Sequence, residues 1–567
     1  MIAARLPELT AGTEPTGDSR NGVIVVGAGP VGCTVALLLA DRGIAVTLLE
    51  RYADPHPLPR AVHLDDEVAR ILGRVGVVRA FLRRSRPATG LRLLDADHRV
   101  MAEFPRDPGS EKNGYPPANM FDQPDLEQLL LDRIADHPLV TLQRGQEVVG
   151  IGGIGDGTGG PLPVVRVQAR GAKDGQLQTL TGRYVLACDG ANSTIREQLG
   201  VAMDDLKFTE RWLVVDVRTD AALDSWGGVE QVCDPARAAT FMRVVGDRYR
   251  WEFQLRDGED EADLLRPDAL GRLLAPWTGR TDLDGLEVVR SAVYTFRARL
   301  ARRFRIGPAF LLGDAAHLTP PFIGQGLGAG LRDADNLAWK LAEVLTARAA
   351  PGLLDSYEAE RRPHARAMIR KAVLVGWAMT GGQDGAAVVR RFALAAAVRT
   401  PRLRARIAAS ETPRLKSGAM QRRSAIQRIA PGTPSLKVGG LVPNVEVRTA
   451  DDTRVRLDDL LAGRAALLTG RRPEPQLEAG CERLGLLLVR IRPSQPAAVS
   501  LRGDPGYVDV AVVGDAGRLQ PVFDAGRTAV LVRPDGVVAA VTRRSLPQLP
   551  WDEGAPSPST VAYGGMP

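Results

Sequence analysis

Cysteine and histidine are scarce in this chain of 567 residues, with four of the first and six of the second. Cys33, Cys188, Cys233 and Cys481 lie far apart and no Cys-x-x-Cys pair occurs. That argues against a disulfide framework, a structural zinc site and a dithiol redox centre, and it suits a reducing cytoplasm. The histidines show no metal-ligand spacing. No apolar run reaches the roughly eighteen residues that a membrane-spanning helix needs. Lysine is sparse beside arginine, and no long basic cluster with interleaved aromatics appears beyond short runs such as Arg302-Arg303-Phe304-Arg305. The net charge of +7 therefore does not point to nucleic acid. Scattered arginine reads as a solvated surface that also attracts anionic ligands. Residues 1–21 lack an apolar stretch and read as a disordered leader, not a signal peptide.

What is present begins with Val23-Ile24-Val25-Val26-Gly27-Ala28-Gly29-Pro30-Val31-Gly32. A buried-strand run ends in Gly-x-Gly-x-x-Gly and opens a helix expected over 33–41. Gly27 permits the tight turn, Gly29 lets a pyrophosphate approach the backbone, and Gly32 lets the helix pack close. The helix N-terminus offers free N–H groups and partial positive charge to phosphates. Glu50 closes the next apolar run, where an acid suits a pair of ribose hydroxyls. The pattern predicts a dinucleotide site.

Two later motifs decide which dinucleotide. Tyr184–Ala187 reads as a strand leading into Cys188-Asp189-Gly190, with a helix start at Ser193. Phe310-Leu311-Leu312-Gly313-Asp314 is another apolar strand ending in Gly-Asp, before a loop and a long helix over 331–347. The trio resembles the flavoprotein aromatic hydroxylases of the para-hydroxybenzoate hydroxylase type. The resemblance implies that Gly27, Gly29, Pro30, Gly32, Glu50 and Arg51 hold the FAD adenosine and pyrophosphate. It implies that Asp189 and Gly190 serve FAD and nicotinamide binding, and that Gly313 and Asp314 reach the ribityl chain. Arg60, in Pro59-Arg60-Ala61, matches the family's arginine near the pyrophosphate, and Gln123 its glutamine near the ribityl chain. Pro320, Pro321, Gly324, Gly326 and Leu327 fall in the stiff Pro-Gly loop that in the family lies beside the isoalloxazine. Within the family, Ala61–Glu67 and Pro320–Gly326 look most like the 3-(3-hydroxyphenyl)propionate hydroxylases.

Along the chain, residues 22–207 read as the first part of an α/β, Rossmann-like FAD-binding domain in βαβ order. Gly152–Gly160 reads as a hairpin connection, not a second phosphate loop. Residues 208–300 turn β-rich and are expected to form an inserted antiparallel substrate sheet roofing the flavin. Residues 301–400 return to the FAD domain and become helical, with a kink or break at Pro363. A linker spans 401–436. Beyond it, 437–567 resembles the thioredoxin-like α/β tail of longer family members. With Cys481 alone, its expected role is structural or in oligomerisation, a homodimer being the assembly to test.

The implied cycle is that NADPH or NADH reduces FAD, O2 adds to give a flavin C4a-hydroperoxide, and its distal oxygen passes to a phenolic ring. The protein must orient the ring, keep water out and help deprotonate the phenol. Candidates for that base are His63, Tyr249, Tyr294 and His317, with Pro320 beside the ring. Arg211, Arg243 and Arg250 are candidates to hold a substrate carboxylate. Two other readings stay open: a hydroxylase tailoring an aromatic polyketide or other large aromatic, and a non-catalytic FAD-fold binding protein.

Overall fold

The computed structural model describes residues 22–380, 412–416 and 436–542, apart from breaks at 56–59, 111–112, 153–164, 172–176, 222, 224, 471–474, 493–506, 514–518, 520–521 and 523–528. The leader, most of the 401–436 linker, Pro59 and the glycine run after Gly152 lie outside the described residues. The flanks of that run, Gln146–Gly152 and Val165–Gly171, pair as an antiparallel hairpin.

The first half is built on a six-stranded sheet in the order Arg305–Ile306, Ala309–Leu311, Tyr184–Ala187, Val23–Val26, Val46–Glu50, Val140–Arg144. All neighbours are parallel except the Arg305–Ile306 edge. Its central strands are short continuous apolar runs because helices cover both faces. The helices that matter below are α1 (Pro30–Ala40), α2 (Asp66–Arg74), α3 (Gln123–Ala135), α4 (Pro267–Thr278), α5 (Gly326–Leu345) and α6 (Asp355–Thr380). Helix α6 does not break at Pro363 but runs through it. Its buried neighbours Glu360 and Arg361 are tied to Lys340 and Asp333 of α5, which holds the helix in place where the proline removes a backbone bond.

The second sheet has eight strands, in the order His317–Leu318, Glu287–Ala301, Met203–Arg218, Arg248–Gln254, Ala239–Arg243, Val229–Val232, Gly90–Leu94, Val100–Pro105. It is larger than the 208–300 expectation. It starts at Met203 and draws in two strands from the preceding segment, because Val229–Val232 would otherwise leave an open edge, which Gly90–Leu94 closes in parallel. One face buries Leu213, Val215, Phe241, Tyr249 and Trp251 with Leu270 and Leu274 of α4. The opposite face carries Trp212, Asp216 and Arg250 and looks at the first half: Arg250 Nη1 donates to the Arg60 carbonyl at 2.6 Å.

The C-terminal segment has its own core and a seven-stranded mixed sheet. From its middle to one edge the order is Leu487–Arg492, Ala466–Thr469, Ala529–Val532, Val538–Thr542, the first pair parallel and the others antiparallel. Cys481 is buried there among Leu477, Leu486 and Leu488, and burial with nearby Glu478 pushes its thiol up to about 11.

Candidate functional site

Three adjacent parallel strands, Val23–Val26, Tyr184–Ala187 and Ala309–Leu311, end side by side, so their carboxyl-end turns Gly27–Gly29, Cys188–Gly190 and Leu312–Asp314 meet in one crevice. Motifs far apart in sequence thus become one site, where open α/β sheets bind ligands. Gly27 has φ +99°, and a side chain there would lie 2.4 Å from the Cys188 carbonyl. A methyl on Gly32 would lie 1.9 Å from the Gly27 carbonyl. Gly29 differs: an added Cβ meets nothing within 4 Å. It N-caps α1 with no side-chain cap, and Pro30 has no N–H, so the first free amides of α1 face this opening. Glu50 accepts from Ala28 N at 2.8 Å and Tyr52 N at 3.0 Å. Carboxylate oxygens have lone pairs to spare for hydroxyl donors.

Asp189 Oδ2 accepts from Ile195 N at 3.2 Å, while its buried Oδ1 has no partner among the described residues. Asp314 is exposed at the crevice, yet the surrounding protein desolvates its carboxyl and raises its pKa. Arg60 projects into solvent, its side chain 47% exposed with Glu127 at 3.3 Å. The chain around it is pinned: Gln123 Oε1 accepts from Ala61 N at 2.7 Å and Gln123 Nε2 donates to Glu127 at 2.6 Å. Gln123 is therefore a buried support for the Arg60 segment. Arg51 lies over the Tyr52 ring, 4.6 Å from its centroid. Open space at Gly29, unpaired amides, an orphaned Asp189 oxygen and an exposed Asp314 together fit a dinucleotide with a polyhydroxyl chain, as FAD has.

Pro320 is buried, and Pro321–Ile323 forms a short 3-10 turn leading to Gly324, Gly326 and Leu327 at the start of α5. Phe322 of this loop packs edge-on against Trp212 (5.8 Å) and Phe208 (5.6 Å). The loop is braced from below, as Gln325 donates to Asp65 at 2.8 Å and Arg332 to Gln325 at 3.0 Å.

The four base candidates stand in different surroundings. His63 sits under Gly324, its Nδ1 3.4 Å from that carbonyl, and burial and then the Arg106 guanidinium hold its pKa at about 4. So weak a base has little drive to take a phenol proton. His317 is 1% exposed and hydrogen-bonded to Asp333 at 2.6 Å. Tyr249 points into the aromatic core under α4, on the face opposite Arg250. Tyr294 alone of the four stands on the crevice-facing side, paired across strands with Trp212 and stacked on Phe296.

Each of the three substrate arginines has its own placement. Arg250 is 3% exposed and forked onto Asp216 at 2.7 and 2.9 Å. Arg243 shares the Tyr249 face and closes its own turn on the Gly246 carbonyl. Arg211 has the strand parity of Leu213 and is exposed on the far side. Arg290, directly opposite Asp216 and 5.0 Å from the Tyr294 ring centroid, was not singled out in the sequence. Asp333 was missed as well. It accepts from Gly313 N at 3.0 Å, His317 at 2.6 Å and Arg361 at 2.7 Å, and so fixes the backbone beside Asp314. Only its place in a polar run, Arg332–Asn336, within an otherwise buried helix marked it.

A family profile described as "FAD binding domain" matches residues 20–372, and one described as "HcaD C-terminal domain" matches 439–550. The 3-(3-hydroxy-phenyl)propionate/3-hydroxycinnamic acid hydroxylase of Mycolicibacterium smegmatis is 34% identical over 549 residues, 96% of this chain and 92% of that protein. The enzyme of the same name from Mycobacterium avium is 35% identical over 530 residues, 92% of this chain and 89% of that one. Among solved structures, aklavinone-11 hydroxylase, in a ternary complex with FAD and aklavinone, superposes with a TM-score of 0.73 at 24% identity, covering 95% of this chain and 98% of that one. Among the described residues no helix is long and apolar enough to cross a membrane, and no group of side chains could hold a metal.

Proposed function

This chain belongs to the family of FAD-dependent aromatic hydroxylases, and from that we propose that it hydroxylates a small phenol carrying a carboxylate side chain, ortho to the existing hydroxyl, as a 3-(3-hydroxyphenyl)propionate hydroxylase does. It is an oxidoreductase of the monooxygenase class, with FAD as cofactor and NAD(P)H as co-substrate. The substrate reading is carried by one observation: likeness to hydroxylases of that name extends over nearly the whole of both chains.

FAD, when bound, supplies an activated oxygen derived from O2, and the chain's residues do the rest. The Gly27–Gly32 turn and the α1 amides receive the pyrophosphate, Glu50 the ribose and Arg60 the outer phosphates. Asp314 accepts from the ribityl hydroxyls, with Asp189 and Gly190 beside it. The Pro320–Leu327 loop, whose Phe322 packs on Trp212, would hold the flavin ring. There Phe208, Trp212, Phe296 and Phe322 form an apolar wall that keeps water from the reacting ring. Tyr294 is the side chain we place at the phenol hydroxyl, and Arg290 the cation nearest it for a carboxylate.

The first half is read as the FAD-binding domain, the eight-stranded sheet as the substrate domain and the C-terminal part as a thioredoxin-like domain, on the strand order given above. Four free thiols, three of them buried, support a cytoplasmic location. Asp314→Ala should weaken FAD retention roughly tenfold, the worth of about 1.4 kcal/mol for a charged acceptor, as read by flavin fluorescence titration. Unchanged affinity would show that the Gly-Asp motif is misassigned.

The substrate test compares 3-(3-hydroxyphenyl)propionate, its ring-unsubstituted analogue and a multi-ring phenolic polyketide. NAD(P)H oxidation coupled to catechol formation is expected from the first alone. Efficient coupling only with the polyketide would overturn the substrate while leaving the hydroxylase class intact. A protein that binds FAD but oxidises NAD(P)H with none of them would favour a non-catalytic binder.

A further inference from the structure

The Arg533-Pro534-Asp535-Gly536 turn joins two strands of the C-terminal sheet and reaches into the first half. Arg533 is fully buried. Its Nη1 donates to Glu360 of α6 at 2.7 Å, its Nε to Asp535 at 3.0 Å, and its guanidinium lies 5.3 Å from the Trp339 ring centroid on α5. The other oxygen of Glu360, also fully buried, accepts from Lys340 at 3.0 Å and Asn336 at 2.9 Å, both on α5. Against burial, Arg533 and Lys340 draw Glu360 down to about 2, so the carboxylate is charged. Glu360 is thus the joint of two helices and one foreign turn.

The next residue on α6 completes the path. Arg361 donates to Asp333 at 2.7 Å, and Asp333 accepts the Gly313 amide, the residue before Asp314. On the α2 side, Arg70 forks onto Asp458 of the C-terminal domain at 2.6 and 2.7 Å and donates to the Val442 carbonyl at 2.7 Å. Arg74 bonds both Asp335 of α5 and the Asp535 carbonyl. Between these bonds lies a cavity of about 550 Å³ bordered by Arg70, Arg74, Asp335 and Asp535. Around this cavity the two parts are joined by the ion pairs and hydrogen bonds just given. The Arg533–Glu360 pair is fully buried and the Arg70 and Arg74 pairs are partly so, and a buried charge stripped of its partner is costly. The position of α5 and α6 is therefore tied to that of the turn.

We propose that Arg533 is a positioning residue for the flavin site: the C-terminal domain, through its 533–536 turn, sets the placement of α5 and α6 and thereby of Gly313–Asp314 and the Gln325 loop. The inference rests on FAD binding in the crevice above, which the wild-type titration checks by itself.

The test uses the full-length chain and three variants. Arg533→Lys keeps a charge but loses the fork. Arg533→Met with Glu360→Met removes both charges of the bridge between the turn and α6, while Asp535 and Lys340 each lose one partner. Leu531→Ala, in the same domain's core among Leu467, Leu477 and Leu488, supplies a destabilised control. FAD affinity by fluorescence titration, visible circular dichroism of the bound flavin, and the ratio of product to NAD(P)H consumed are measured for each. The Arg533 variants should bind FAD at least tenfold more weakly, with altered flavin dichroism and poorer coupling, while Leu531→Ala stays within twofold of wild type. The proposal is overturned if an Arg533 variant that folds stays within twofold of wild type. It is equally overturned if Leu531→Ala loses FAD as strongly, or if neither Arg533 variant folds, since the turn would then be a general folding element.

Discussion

Gly29→Val should fold normally and be isolated without flavin. The backbone at Gly29 has φ −71° and ψ 178°, an extended conformation that any residue adopts and that suits the position before a proline. A Cβ there meets no protein atom within 4 Å. Losing glycine at an N-cap costs at most about 1 kcal/mol, so the apo-protein should melt close to wild type. The valine methyls, however, would stand in the open space over the α1 amides, where the proposed function puts the pyrophosphate. Losing two charge-assisted hydrogen bonds, each worth about 1.5–3 kcal/mol, predicts FAD affinity at least roughly 100-fold weaker. The neighbouring glycines cannot make this separation. Gly27→Ala would collide with the Cys188 carbonyl and Gly32→Ala with the Gly27 carbonyl, so both damage the turn itself. Apo melting temperature and flavin titration of Gly29→Val are the measurements. Stoichiometric flavin on purified Gly29→Val would remove the pyrophosphate from this turn.

The turn was readable because its demands are local: φ at Gly27, close approach at Gly29 and Gly32, and a helix starting at once. The meeting of three such turns was readable only through resemblance, since nothing in Gly313-Asp314 announces that its strand lies beside Tyr184–Ala187. Site chemistry on the second sheet was not legible. Trp212–Val217 is buried on both faces, so the alternation that separates inside from outside disappears. That is why Tyr249 and Tyr294 looked equivalent although they face opposite sides. Arginine roles failed for another reason. Whether Arg250 is a surface cation or half of a buried pair depends on Asp216, a strand away, and Arg533 depends on Glu360 in a different domain. The second sheet's extent was misjudged because a strand edge accepts a partner from anywhere in the chain, here Gly90–Leu94.

The largest effect on stability is expected at Asp333. Its side chain is fully buried and both oxygens are used, one by Arg361 and the other by His317 and the Gly313 amide. Asp333→Asn keeps the shape but brings an NH2 group against at least one donor and leaves the buried Arg361 unbalanced. Breaking such a pair costs about 3–5 kcal/mol. The pH dependence follows from the direction of the shift. Burial raises the Asp333 pKa, but His317 and Arg361 outweigh it and hold it below the usual carboxylate value. A group with a depressed folded pKa contributes its stability above its unfolded pKa of about 3.9 and loses it as pH falls through the lower folded value. Urea denaturation should therefore show a gap between wild type and Asp333→Asn that is full at pH 7 and narrows only in acid, below about pH 4. The same variant should bind FAD more weakly, because the Gly313 amide beside Asp314 loses its anchor. Denaturation midpoints that coincide at pH 7 would mean the triad is not a working ion pair. A gap that widened in acid would mean that its charge is assigned with the wrong sign.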